Sequence, residues 1–231
     1  MNIPSYFLKK DIRIFFFIFL FTAAEFILLF SFRHLDDNRL TGWQSAFEYA
    51  DPVKIFVFIA AAILFSYMIS RYSFIERYPA SFLFILSYAI SSIFWKEPEI
   101  IVDAARYFTQ AKHLEIYGVD HFVREWGKTI FAWTDMPLIP FLYGLIFRFA
   151  GESRVYIQIF TTLLFSLTVV LTYKIGSALW DRGIGFYAGL LLLGIPYLFV
   201  HIPLMMTDIP VMFFVTASVY FFIKALDTGA K

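Results

Sequence analysis

The feature that most constrains this chain is a series of long apolar runs that are almost free of charged residues. A helix needs about 20 mainly apolar residues to cross the hydrocarbon core of a bilayer, and several of these runs approach that length. The sequence therefore predicts an all-α, polytopic transmembrane helix bundle with about six spans. The six runs lie at residues 12–32, 53–70, 79–95, 155–171, 184–202 and 209–223.

The composition supports this class of protein and excludes others. Hydrophobic residues make up 60% of the 231 residues and charged residues 16%, whereas a soluble domain has about 45–50% and about 25%. The formal net charge of +1 gives no reason to expect a nucleic-acid partner. Cysteine is absent, so disulfides, thiol catalysis and thiolate metal sites are excluded.

A seventh apolar run, residues 137–151, is short and contains Arg148. We predict that it lies at the interface and does not cross, as an amphipathic helix in a long outer loop, residues 96–154. The basic residues Lys9, Lys10 and Arg13 place the N-terminus in the cytoplasm by the positive-inside rule. With six spans, Asp103 and Asp208 then share the non-cytoplasmic face. If the short run crossed, they would lie on opposite faces.

The outer loop opens with "EIIVDAARYFTQAKH", in which several polar side chains recur at helical spacing. At 3.6 residues per turn these positions share one face. A plain alternative is that this face is only the solvated side of an interfacial helix. The residues are Glu99, Asp103, Arg106, Tyr107 and Gln110.

Two further carboxylates precede prolines, Asp135 in "TDMP" and Asp208 in "MMTDIP". Each could instead be the N-cap of the following helix. Ionisable groups near a bilayer are costly and often functional. An aspartate there can accept a proton from an attacking hydroxyl, and an arginine can hold a phosphate. Together these groups suggest transfer from a lipid-linked phosphate.

In this order the motifs resemble those of the GT-C glycosyltransferases that use polyprenyl-phosphate sugars, namely the protein O-mannosyltransferases and the lipid A aminoarabinose transferases. "DAARY" is similar to the family motif D-x-x-R-Y, "TDMP" to an acid before a Pro-led helix, and "TDIP" to an Asp-x-Pro motif. The likeness extends over roughly residues 79–224. Ala104 stands where many members carry a second acid, and Met136 where some carry a basic residue.

The resemblance implies a role for each matching residue. Asp103 would be the general base for transfer, with inversion, of a mannose-like sugar to a hydroxyl on a protein, lipid or glycan. Arg106, Tyr107, Asp135 and Asp208 would bind the substrate or donor phosphate. Asp103 and Asp208 are also candidate ligands of a divalent cation, the one cofactor expected.

The resemblance also implies an organisation. Residues 1–78 would be an extra N-terminal transmembrane hairpin, and residues 79–231 the N-terminal catalytic module. Family members continue through more membrane helices, so a second membrane subunit supplying that distal half is an expected partner, beside the lipid-linked sugar, membrane lipid and acceptor. The expected location is the plasma membrane of a prokaryote or the endoplasmic reticulum of a eukaryote, as a multi-pass protein with a non-cytoplasmic active face.

Other interpretations stay open. The chain could be a non-catalytic membrane scaffold or partner, or a transporter of a lipid-linked substrate. An ion-conducting bundle is less favoured, because the apolar runs contain almost no ionisable group beyond Glu25. Metal binding is a further alternative for three histidines, and phosphate binding for three basic residues. These are His113, His121 and His201, and Lys112, Arg124 and Lys128.

Overall fold

The computed structural model describes residues 73–96, 102–133 and 135–229, together with isolated positions between residues 16 and 64. The chain divides into two compact units, Met1–Tyr78 and Pro79–Lys231. The predicted roles of these two parts, an extra membrane hairpin and a catalytic module, stay predictions. The predicted spans 12–32 and 53–70, and the positions Glu25 and Glu99, lie outside the continuously described residues.

The described part of the chain is built from helices and confirms the predicted all-α class there. One isolated bridge, between Trp126 and Ile130, is its only extended pairing. A short 3-10 turn, Phe94–Lys96, follows the second helix. The helices are α1 (Ser73–Arg77), α2 (Pro79–Ile93), α3 (Val102–Tyr117), α4 (Val119–Glu125), α5 (Leu138–Ala150), α6 (Arg154–Leu179), α7 (Arg182–Leu192), α8 (Pro196–His201) and α9 (Asp208–Gly229).

Two of these helices, α6 and α9, are long and apolar enough to cross a membrane by length and composition. Helices α2, α5 and α7 are apolar but shorter, with 15, 13 and 11 residues. At 1.5 Å per residue, α5 is about 20 Å long. The prediction that it is too short to span is consistent with this length, and the count of six spans stays a prediction.

Helix α6 is the centre of the second unit, because α2, α7 and α9 all pack against it. Its contact with α7 includes a close approach of two glycines. A Cβ atom added to Gly176 would lie 2.7 Å from the Cα atom of Gly185, closer than real atoms approach. The two backbones therefore touch where a side chain would separate them.

The start of α6 lies at the same end of the unit as the end of α2. The indole Nε1 of Trp95 donates to Thr162 Oγ1 at 3.0 Å, and Gln158 Nε2 donates to the Trp95 carbonyl at 2.9 Å. The segment before α9 also reaches this end, where Met205 packs in one core cluster with Ile157 of α6. This end positions the candidate site.

The predicted span 184–202 is wrong as a single helix. Helix α7 ends at Leu192, and α8 begins only at Pro196. Proline disfavours helical backbone at the residue before it, and Ile195 adopts an extended conformation with φ −100° and ψ 98°. The chain therefore turns at residues 193–195.

Helices α3 and α5 form the second packed pair of the unit. A Cβ atom on Gly144 would lie 2.7 Å from the Cβ atom of Leu114, so glycine permits this crossing. Arg148, predicted as an external charge, donates from Nη1 to the carbonyls of Leu114 and Glu115, both at 3.4 Å. It adds a donor to two carbonyls in the last turn of α3, one of which, that of Leu114, also accepts from the Gly118 N–H at 2.9 Å.

Candidate functional site

Arg106 of α3 is the residue that brings two predicted site acids together. Its Nη2 lies 3.3 Å from Asp103 Oδ1, one helical turn away. The same nitrogen donates to Asp135 Oδ1 at 3.3 Å, and Nε lies 3.0 Å from Asp135 Oδ2. The Nε contact is an ion pair, because its N–H is not aligned for a hydrogen bond. Arg106 thus bridges the "DAARY" and "TDMP" segments.

Asp135 is held on a second side by Gln110. The amide Nε2 of Gln110 donates to Asp135 Oδ2 at 3.2 Å and to the Phe131 carbonyl at 3.0 Å. Both partners are acceptors, which fixes the orientation of the amide. The alternative that Asp135 caps α5 is wrong, since the N-cap residue is Pro137 and no side-chain cap bond is made.

Tyr107 links the same cluster to the third motif. Its hydroxyl accepts a hydrogen bond from Arg106 Nη2 at 3.1 Å and shares one with Thr207 Oγ1 at 3.4 Å. A second tyrosine, Tyr143 of α5, donates to the Met206 carbonyl at 2.6 Å. Asp208 follows directly as the exposed first residue of α9. The chain segments of all three motifs therefore meet at one end of the unit.

The electrostatics of the cluster keep Arg106 charged. Partial desolvation lowers its pKa, but the hydrogen bond to Tyr107 and the charges of Asp135 and Asp103 outweigh it, so the pKa of Arg106 lies above its ordinary value. Two carboxylates share this guanidinium, which leaves one net negative charge. The Asp103 side chain is 48% exposed and that of Asp135 only 10%. Asp103 is thus the acid that a substrate can reach.

The predicted polar face of α3 is not a solvated surface along its whole length. Tyr107 and Gln110 are only 5% and 3% exposed, and they lie on the buried side of the helix with Ala104 and Ala111. Phe108, the next residue after Tyr107, packs edge-on against Phe147 at 5.5 Å between ring centroids. Tyr107 Oη and Gln110 Nε2 find partners within the fold, which lowers the cost of burying them, whereas Gln110 Oε1 is buried without a hydrogen bond.

The predicted divalent cation stays a prediction. In the described ranges, no three His, Cys, Asp or Glu side chains are grouped closely enough to hold a metal ion. The guanidinium of Arg106 lies between Asp103 and Asp135, where a cation would otherwise neutralise them. His113 and His121 stack nearly parallel, at 6.1 Å and 10°. These residues do not form a ready ligand set.

The remaining candidates lie away from the cluster. Lys112 forms ion pairs with Glu115 and Glu152, which ties α3 to the turn before α6. Arg124 and Lys128 are exposed, and His201 is the last residue of α8. A cavity of about 190 Å³ opens beside α3, lined by Phe108, Phe147, Glu152, Ser153, Arg154, Ile157 and Met205.

Sequence reasoning missed three residues that shape the site. Thr207 directly precedes Asp208 in "MMTDIP", so the sequence shows that it lies next to a predicted site residue. The sequence does not show its hydrogen bond to Tyr107. Tyr143 carries no local signal, because it sits in an apolar helix. Trp133 also carries no local signal for the site, yet its ring lies 5.8 Å from the Arg106 guanidinium carbon.

Comparison with known proteins supports the predicted resemblance over part of the chain. Residues 134–231 match the family model described as dolichyl-phosphate-mannose-protein mannosyltransferase. No curated protein and no solved structure matches the chain significantly. The matched region contains Asp135 and Asp208 but not Asp103 and Arg106. The match covers less than half of the chain, and within it the resemblance to this family is confirmed.

Proposed function

We propose that residues 79–231 form the N-terminal catalytic module of a membrane glycosyltransferase, which moves a mannose-like sugar from a polyprenyl-phosphate donor to a hydroxyl acceptor with inversion. One observation carries this proposal. Arg106 joins Asp103 to Asp135 while Tyr107 bonds Thr207, next to Asp208. The family match supports the reaction class, and this convergence supports the location of the site.

Asp103 is the general base. Its carboxylate takes the proton of the acceptor hydroxyl as that oxygen attacks the anomeric carbon. The bond from the anomeric carbon to the phosphate oxygen breaks, and the polyprenyl phosphate leaves with the electron pair. Attack from the side opposite the leaving group inverts the configuration. The partial exposure of Asp103 supports this role, because the acceptor must reach the carboxylate.

Arg106 couples the two changes of charge. Before the reaction its Nη2 faces the Asp103 carboxylate at 3.3 Å. When Asp103 takes the proton it loses its negative charge, while the leaving phosphate gains one. The guanidinium can then turn its Nη2 donor from Asp103 toward a phosphate oxygen, an acceptor that arginine binds well. Its contacts with Asp135 hold the rest of the side chain in place.

Asp135, Tyr107 and Asp208 complete the substrate site in this proposal. Asp135, anchored by Gln110, keeps Arg106 oriented. Tyr107 places the start of α9, and Asp208 is an exposed acid facing the donor or acceptor. The site faces the non-cytoplasmic side of the membrane, and a second membrane subunit supplies further contacts to the lipid phosphate.

The test is a membrane assay with radiolabelled polyprenyl-phosphate mannose and a mixed pool of hydroxyl acceptors. It is run on the chain alone and on the chain co-expressed with any downstream membrane protein. Transfer that appears in either arm and is lost in the Asp103→Asn variant supports the proposal. Transfer in neither arm would favour a scaffold or transporter. Full transfer by Asp103→Asn would remove Asp103 as the base.

A further inference from the structure

Trp133 combines backbone strain with exposure beside the candidate site. With φ +50° it is the one described residue other than glycine that has a positive φ, a conformation that bulky side chains rarely adopt. Its side chain is nevertheless 67% exposed, so burial of the ring does not account for the strain. Strained residues that persist in a fold cluster at ligand-binding and catalytic sites.

The turn that carries Trp133 is fastened to α3 from both sides. The backbone N–H of Asp135 donates to the Ala132 carbonyl at 2.8 Å and closes the turn. Gln110 binds the Phe131 carbonyl before the tryptophan and the Asp135 carboxylate after it. These contacts hold the backbone in place, so the indole is presented in a defined position.

The indole is also placed against the residues that the reaction uses. The guanidinium carbon of Arg106 lies 5.8 Å from the Trp133 ring and 5.0 Å from the Tyr107 ring. Phe131 packs edge-on to Trp133, with ring centroids 4.9 Å apart and planes at 83°. Most of the indole surface remains open next to the arginine that binds Asp103.

We propose that Trp133 is a sugar-stacking residue, on which the transferred sugar of the donor rests during the reaction. This inference rests on the proposed function. A pyranose ring has one face of C–H groups, which are apolar and weakly positive, and the face of an indole is apolar and negative. The neighbouring Arg106 faces the donor phosphate. The sugar attached to that phosphate is therefore the ring that falls within reach of Trp133.

The chemistry of the transfer gives the indole a second use. The transition state of a glycosyl transfer is oxocarbenium-like and carries positive charge on the sugar ring. The π face of tryptophan attracts cations, so stacking strengthens as this charge develops. We therefore expect loss of the indole to reduce kcat as well as donor binding.

Lipid anchoring is the rival role, since tryptophans favour the headgroup layer. Binding measurements separate the two roles when they compare polyprenyl-phosphate mannose with polyprenyl phosphate that lacks a sugar. They are made in the Asp103→Asn background, where the donor is not consumed. The variants are Trp133→Ala and Trp133→Tyr, with Trp180→Ala as the control, because Trp180 is also 67% exposed but follows the far end of α6.

We expect Trp133→Ala to weaken binding of the mannose-bearing lipid at least tenfold and to leave binding of the sugar-free lipid unchanged. Trp133→Tyr should retain most of the affinity, and Trp180→Ala all of it. Equal loss for both lipids, or no loss for either, would overturn the inference. If the sugar-dependent loss is seen but the Asp103-intact protein transfers nothing, the inference stands and the proposed function falls.

Discussion

Tyr107 and Thr207 lie one hundred positions apart in the sequence and share a hydrogen bond of 3.4 Å between Tyr107 Oη and Thr207 Oγ1. This contact ties α3 to the residue that precedes α9. Because Tyr107 also accepts a hydrogen bond from Arg106, it connects Thr207 to the ion pairs with Asp103 and Asp135. The account of function depends on this network.

Replacing Asp103 by Asn should abolish transfer without unfolding the protein. The amide keeps the size of the side chain but cannot take a proton, and a general base contributes about 10²–10⁴-fold to a rate. We expect kcat to fall at least about 100-fold in the membrane assay. Asp120→Asn is the matched control, since Asp120 is an exposed acid on α4, and it should transfer at the normal rate.

Arg106 and Asp135 should be energetically coupled. A double-mutant cycle with Arg106→Gln and Asp135→Asn should give a coupling energy of roughly 0.5–3 kcal/mol in the free energy of unfolding, as for other residues in one ion-pair network. The Arg106→Lys variant should not retain normal transfer activity, because one lysine amine cannot contact Asp103, Asp135 and Tyr107 at the same time. Additive effects of the two substitutions would mean that the pair does not form.

Tyr143→Phe should destabilise the protein by about 1–3 kcal/mol, because it removes the 2.6 Å hydrogen bond to the Met206 carbonyl and leaves that acceptor unpaired. Thermal unfolding in detergent measures the loss. Tyr187→Phe on α7 is the control, as its side chain is 49% exposed, and it should unfold at the normal temperature. A Tyr143→Phe protein as stable as the original would show that Met206 is held by other contacts.

Acid should destabilise the region around His113. Desolvation, and then the neighbouring His121, lower the pKa of His113 from its model-peptide value of 6.5. The folded state therefore favours the neutral imidazole. The contribution of neutral His113 to the stability of the fold is full above pH 6.5, where the imidazole is neutral in both states. This contribution is lost as the pH falls through the lower folded-state pKa.

The melting temperature of the original protein should therefore fall more between neutral and mildly acidic pH than that of a His113→Asn variant. His121→Asn, which keeps His113, should show an intermediate dependence, because only the charge repulsion is removed. Identical pH profiles for all three proteins would assign the acid sensitivity to other groups.

The sequence predicts much of this architecture because apolar runs and helical spacing are local signals. The runs beginning at residues 79, 155 and 209 correspond to α2, α6 and α9. The sequence also indicates the break between α7 and α8, since Gly194 and Pro196 both disfavour a continuous helix. The mainly apolar residues on both sides mask this break in the sequence.

The internal arrangement of the site could not be predicted in the same way. Helical spacing tells which side chains share a face, but not what covers that face. The spacing alone therefore suggests that Tyr107 and Gln110 are exposed, although Asp135 and Thr207 provide partners that reduce the cost of their burial. The resemblance indicated which acids matter, whereas their connection through Arg106 depends on a turn packed against α3.

The central claim is that the three acidic motifs lie at one membrane face, and cysteine labelling tests it most directly. The sequence contains no cysteine, so labelling of a single introduced cysteine can be measured without background from native thiols. Suitable positions are Val102 and Met136, which are exposed neighbours of Asp103 and Asp135, then Asp208 itself, and Trp180 at the far end of α6.

In intact cells or sealed vesicles, a membrane-impermeant maleimide should label Val102→Cys, Met136→Cys and Asp208→Cys from the same side. It should reach Trp180→Cys only from the opposite side or after permeabilisation. Labelling of Val102→Cys and Asp208→Cys from opposite sides would contradict the account, because the acids could not then share one substrate.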